Sequence, residues 1–183
     1  MEVSVCISET GMTLLRPQPE AKPVPPSLRR LVHATAGLAV LAMLAGGFVA
    51  GIRAGFDYNT FPLMEGRLLP RGYWVLDPLW KNFTANIPAV QFNHRLLATA
   101  TLALAAWAAV LAFSTLPRGR IRGAVMGLAI AVALQYALGI ATLLAVVPPW
   151  LGTLHQGVAM LVLTGALLAL HALRRPLPSA GPG

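Results

Sequence analysis

Apolar residues gather into four long runs, at approximately 31–51, 87–113, 121–147 and 151–173, and polar residues fall between them. Each run is long enough to cross a hydrocarbon core, which takes about 20 residues. The pattern predicts an all-α fold, an integral membrane four-helix bundle of four spans. Residues 1–30 carry Pro17, Pro19, Pro23, Pro25 and Pro26 among scattered charges and read as a flexible Pro-rich tail; residues 176–183 read the same way. The first 30 residues have no apolar stretch followed by a small-residue cleavage site, so no signal peptide is expected. The bundle is expected over 31–175, with one long loop at 52–86.

Charge orients this pattern. Arg29 and Arg30 precede the first run, Arg118, Arg120 and Arg122 join the second to the third, and Arg174 and Arg175 follow the fourth. Alternating spans place all three clusters on one side, which the positive-inside rule makes cytoplasmic. Both termini are then cytoplasmic, and the 52–86 loop and the short "VPPW" turn are external, as in a bacterial-type inner membrane. Composition agrees: 56% of the residues are hydrophobic, 11% are charged, and mean hydropathy is +0.67. The net charge of +8 does not indicate nucleic acid, because the basic residues sit between apolar runs and form no stripe with interleaved aromatics. A single cysteine, Cys6, excludes an internal disulfide and a cysteine-based metal cluster within one chain. Membrane lipid is the expected surroundings.

Two histidines interrupt the apolar runs. Span two begins near Asn86, a good N-cap, and tolerates Pro88 in its first turn. His94 then lies roughly 10–12 Å along that helix, and His155 roughly 8–9 Å along span four, which starts after Pro148 and Pro149. Both helices start at the same face, so two imidazoles on separate helices reach nearly one depth. Ionisable groups at such depth are costly and mark function or pairing. Two histidines at one level, with no Cys, Asp or Glu nearby, suit axial ligation of haem iron. They do not suit zinc, which takes four ligands or three plus water. The competing reading is a pair of hydrogen-bonded packing residues.

Neighbouring residues have roles under either reading. Arg95 leaves the helix about 100° from His94 and leans toward the external surface, to a haem propionate or to the lipid interface. Gln91 and Gln156 lie beside the two histidines and could hydrogen-bond to them. Gly123, Gly127, Ala131, Gln135 and Gly139 form a stripe at steps of four, for close helix packing or for room beside a flat macrocycle. Gln135 could also bond a neighbouring helix. His33 and His171 fall near the cytoplasmic ends of spans one and four and read as structural, a second ligand pair being the alternative.

The segments "GGFVAGIRAGFDYNTFPLMEGRLLP", "NFTANIPAVQFNHRLLA", "LQYALGIATLL" and "LHQGVAMLVL" resemble the haem A synthase family of cytochrome oxidase assembly, over about residues 31–175. The resemblance implies an eight-span architecture of two similar four-helix halves, of which this chain is similar to the second. It implies oxidation of haem O to haem A, and a haem B cofactor held by His94 and His155 as metal ligands. It also makes the "AGFDYNTFPLMEG" loop a lid over the haem rather than a plain turn-rich loop, with Arg53 near a propionate or as a surface charge. Family members carry a critical glutamate three residues before the first-half histidine; here that position, before His94, is Gln91. The six acids, Glu2, Glu9, Glu20, Asp57, Glu65 and Asp77, all lie outside the spans, so no catalytic residue can be assigned. The resemblance therefore implies an oxidoreductase that acts with a complementary four-span half or as a homo-oligomer. The alternative is a haem-binding electron-transfer or haem-handling protein without catalysis of its own.

Overall fold

The computed structural model describes residues 23–174; of the tails expected at 1–30 and 176–183, residues 1–22 and all of 176–183 lie outside them, as does Arg175. Four helices run antiparallel in sequence: α1 (Pro26–Gly51), α2 (Ile87–Thr115), α3 (Arg120–Leu144) and α4 (Pro149–Arg174). At 1.5 Å per residue they are about 38–44 Å long, more than a hydrocarbon core of about 30 Å. Each is apolar enough over 18 residues to cross a membrane. Among the described residues there is no strand, and the one bridge joins Met64 to Arg67.

The helix ends show what the sequence signals do locally. α1 starts five residues before the expected position because Pro26 fits a first turn, where its missing N–H is no loss. Asn86 stands at the N-cap position of α2, but its side chain does not cap the helix. It donates instead to the Gly72 and Tyr73 carbonyls and to Asn82 Oδ1. α3 ends at Leu144, three residues before the expected limit of 147. Val146 and Val147 then adopt left-handed backbone at φ 59° and 52°, which is unfavourable for β-branched residues. Their amides close the helix onto the Leu143 and Thr142 carbonyls. At the opposite end of the bundle, Arg29 donates to the last-turn carbonyl of Leu173 at 2.8 Å, and the Arg122 guanidinium lies 4.1 Å over the Phe113 ring.

α1 packs on α2 and α3 on α4 as two hairpins, and α2–α3 and α1–α4 contacts close the bundle. The buried apolar cluster occupies only the half of the bundle at the arginine clusters. It takes Leu28, Val32 and Ala39 from α1, Ala105, Ala108 and Ala112 from α2, Val125, Leu128 and Val132 from α3, and Val162, Ala166, Ala169 and Leu173 from α4. So many alanines let the backbones approach closely, the usual means of packing helices in lipid. Large apolar side chains such as Leu44, Trp107, Val110, Phe113, Leu134 and Leu161 face outward instead. An apolar surface of that extent needs a lipid solvent. Toward the other end, where the 52–86 loop sits, the apolar cluster stops and the two imidazoles begin.

Candidate functional site

The loop end is built largely by amides. Asn82 is fully buried; its Oδ1 accepts from the Val75 and Leu76 amides and from Asn86, and its Nδ2 donates to the Leu76 and Leu79 carbonyls. That network anchors residues 72–86 to the start of α2. The 54–64 segment is tied across the bundle. Asn59 donates to the Gly55 carbonyl and to the Leu143 carbonyl at the end of α3, and the Phe61 ring meets Tyr136 of α3 edge-on at 6.2 Å. Gln91 of α2 donates to the Ala54 and Asp57 carbonyls at 2.8 and 2.6 Å. The segment thus closes over the end of the bundle.

Arg95 leans toward the loop end, as the direction of a helical side chain dictates. It meets the protein there: it donates to the Thr60 carbonyl, the Tyr58 carbonyl and Gln91 Oε1, at 2.8, 2.5 and 3.0 Å. Its Nε is buried without a partner. Gln91 therefore holds the loop and Arg95, and makes no bond to His94. Gln156 is exposed on α4 and does not reach His155 either. Arg53 is exposed, with left-handed backbone at φ 57°, where α1 gives way to the loop.

The two imidazoles occupy matching seats. His94 of α2 lies against Gly46 of α1: a Cβ there would come within 3.1 Å of the ring carbon Cε1. His155 of α4 lies against Gly139 of α3, where a Cβ would come within 2.9 Å of Cε1. In each hairpin the histidine is on the second helix and the glycine on the first. One turn before each glycine stands the hydrogen-bond partner. His94 Nδ1 is 3.0 Å from the Ala42 carbonyl, and His155 Nε2 is 3.3 Å from Gln135 Nε2.

The Ala42 contact fixes a tautomer: a carbonyl can only accept, so His94 carries its proton on Nδ1 and keeps a lone pair on Nε2. The Gln135 amide offers both an N–H and a carbonyl oxygen, so it can meet His155 Nε2 in either tautomer of that ring. The glycine seats and the interruption of the apolar cluster at this level fit a flat group that takes imidazole nitrogen. Gly46, Ala42 and Gln135 were not assigned to the site from the sequence. The legible signal for Gln135 was its place one turn before Gly139 in the small-residue stripe.

The remaining histidines stand apart. His33 Nδ1 is 2.7 Å from the Arg29 carbonyl of its own helix, and His171 lines a groove at the arginine end with Arg120, Gly123 and Gly127. The stripe on α3 thus divides: Gly139 seats an imidazole, and Gly123 and Gly127 border that groove.

Fold and site define a four-span, all-α integral membrane protein with one imidazole seated against a glycine in each of its two hairpins. The chain belongs to the COX15-CtaA family of cytochrome oxidase assembly proteins, whose family profile matches residues 3–167. It is 50% identical to the heme A synthase of Granulibacter bethesdensis over 165 residues, covering 90% of this chain and 43% of that protein. It is 46% identical to the heme A synthase of Rhodospirillum centenum over 177 residues, covering 95% of this chain and 46% of the relative. The heme A synthase of Nitrosospira multiformis is 48% identical over 139 residues, 75% of this chain and 39% of its own. The chain thus spans less than half the length of these relatives. No solved structure matches it.

Proposed function

We propose that this chain is the haem B-binding half of a haem A synthase-type membrane oxidoreductase, contributing to oxidation of haem O to haem A in cytochrome oxidase assembly. The observation that carries the reading is the matched pair of glycine-seated imidazoles on α2 and α4. The similarity to proteins named heme A synthase supports it. His94 and His155 hold the iron of haem B. Arg95, through its unpartnered Nε, and Arg53, at the start of the loop, face the propionates. Gln91 holds Arg95 and the 54–64 segment in place, so that segment covers the haem and keeps water from it. Gln156 borders the His155 turn. A haem iron with two imidazole ligands supplies one-electron transfer. The hydroxylation of the substrate methyl group then belongs to a complementary four-span half or to a second copy of this chain.

The alternative is a haem-binding electron-transfer or haem-handling protein. One observation favours it: the four helices carry no acidic residue, and Gln91, three positions before His94, is committed to the loop. Purification in detergent followed by pyridine haemochrome analysis tests the common core of both readings, with haem B at about one equivalent as the expected result. Haem O conversion is then assayed with and without a co-expressed four-span first half. Conversion only in its presence supports the synthase reading; haem binding with no conversion in either case supports the alternative.

In this reading both termini lie in the cytoplasm and the 52–86 loop outside, in an inner membrane of bacterial type, which the positive-inside rule supports. Reporter fusions at Arg120 and Glu65 should give cytoplasmic and external signals respectively. The opposite pattern would invert the orientation and move the haem to the other leaflet.

A further inference from the structure

Residues 68–83 carry an apolar surface that the bundle does not cover. Leu68, Leu69, Trp74, Val75, Leu79 and Trp80 all face outward, Leu68 being 80% exposed and Trp80 63%. A contiguous patch of this kind marks a contact with a partner or a membrane. The inside of the segment is polar instead. Asn82 is fully buried; it accepts from the Val75 and Leu76 amides and donates to the Leu76 and Leu79 carbonyls. The backbone thus brings some of its own hydrogen-bond partners, as it must where water is scarce.

The patch runs without a break into the flank of the helices. Tyr73 packs edge-on against Phe92, in the second turn of α2, at 5.6 Å between ring centres, and against Trp74 at 4.7 Å. Trp74 meets Phe83 edge-on at 5.6 Å. Phe83 in turn lines one groove with Leu44 and Phe48 of α1 and Val90 and Leu96 of α2. Phe48 lies three residues before the end of α1, and Val90 three residues after the start of α2. The segment therefore folds back beside the outermost turns of two spans. Arg71 and Lys81 are exposed in it, with Asp77 its one acid. Cations beside aromatic rings suit the phosphate level of a phospholipid surface.

We propose that residues 68–83 are an interfacial anchor. The segment lies in the headgroup layer of the leaflet at the loop end, with Trp74, Leu79 and Trp80 among the first acyl carbons and Arg71 and Lys81 at the phosphates. The continuity with the lipid-facing flank selects phospholipid as the partner; a protein on this patch would have to strip lipid from α1 and α2 as well. The 52–86 loop is then held from two sides. Gln91, Asn59 and Arg95 hold its 54–64 part, and lipid holds 68–83.

The test uses the full chain in vesicles of phosphatidylcholine and phosphatidylglycerol, read by tryptophan fluorescence with nitroxide-labelled phosphatidylcholine. The chain has four tryptophans. Trp74→Phe, Trp107→Phe and Trp150→Phe together leave Trp80 alone, and Trp74 and Trp107 are isolated in the same way. Phenylalanine keeps an apolar ring, and circular dichroism of each variant checks the helices. Trp74 and Trp80 should be quenched more by a nitroxide near the headgroup than by one deep in the chain, and should lose little emission to aqueous acrylamide. Trp107, exposed well inside α2, should show the opposite preference between the two nitroxides. The proposal is overturned if acrylamide quenches Trp74 and Trp80 and neither nitroxide does, the behaviour of a loop standing in water. It is overturned equally if the deep nitroxide quenches them more. Shielding from every quencher, with a dimer seen by light scattering, would overturn it in favour of contact between copies of the chain.

Discussion

Replacing His94 or His155 with Ala should abolish the six-coordinate, low-spin haem spectrum of the purified chain. Each substitution removes the imidazole that its hairpin brings to the site among the described residues, and its neighbour in the seat cannot replace it: Ala42 offers a carbonyl, and Gln135 offers an amide. Haem should be lost on purification, or remain on one ligand as a five-coordinate, high-spin form, with retention weakened by well over tenfold. His33→Ala and His171→Ala should change neither haem content nor spectrum. His171 lies sixteen residues beyond His155 on the same helix, about 24 Å further along it, and His33 bonds to its own helix. A His94→Ala protein with an unchanged low-spin spectrum would refute the assignment and turn attention to the pair at the arginine end.

Gly139→Ala should be nearly as damaging as loss of a ligand, although glycine-to-alanine changes ordinarily favour a helix by up to about 1 kcal/mol. The new methyl would meet His155 Cε1 at 2.9 Å, with Nδ1 and Nε2 at 3.6 and 3.7 Å. The ring lies against the helix and must shift as a whole, which misaims Nε2. Gly46→Ala should act in the same direction but less, because its methyl meets His94 Cε1 at 3.1 Å. Gly47, Gly123 and Gly127 have nothing within 4 Å of an added Cβ, so alanine there should leave haem content unchanged. The series is read by haem stoichiometry and by the high-spin electron paramagnetic resonance signal, with a thermal melt in detergent to report the fold. If all five variants retain haem equally, the seats have no bearing on ligation.

The seats also mark where reading the sequence runs out. The depth of His94 and His155 follows from counting residues along helices whose starts are signalled by prolines, and the structure places both rings at the loop end of the bundle. The direction in which Arg95 leans follows from the same geometry. What Arg95 meets does not. Its partners, the Tyr58 and Thr60 carbonyls, lie 37 and 35 residues away, on a loop whose path depends on where Gln91, Asn59 and Asn82 find their acceptors. The expectation that Gln91 and Gln156 would serve the histidines rested on adjacency in sequence. Neighbours on a helix diverge by about 100°, so adjacency carries little information on contact. The residue that does reach His155 is Gln135, on a different helix.

The sequence by itself determined the four spans, the all-α class and the membrane as solvent. All of these follow from local periodicity, residue counts and the cost of placing charge or an unpaired backbone in lipid. Only the tertiary structure decided that the glycines at 46 and 139 are imidazole seats while those at 123 and 127 are not. All of them lie in small-residue-rich helices and look alike in sequence. Which of them receives a ring is set by how two helices from one hairpin lie against each other, a rotation and offset of a few ångströms that no local pattern encodes. The same packing puts a carbonyl beside one histidine and an amide beside the other.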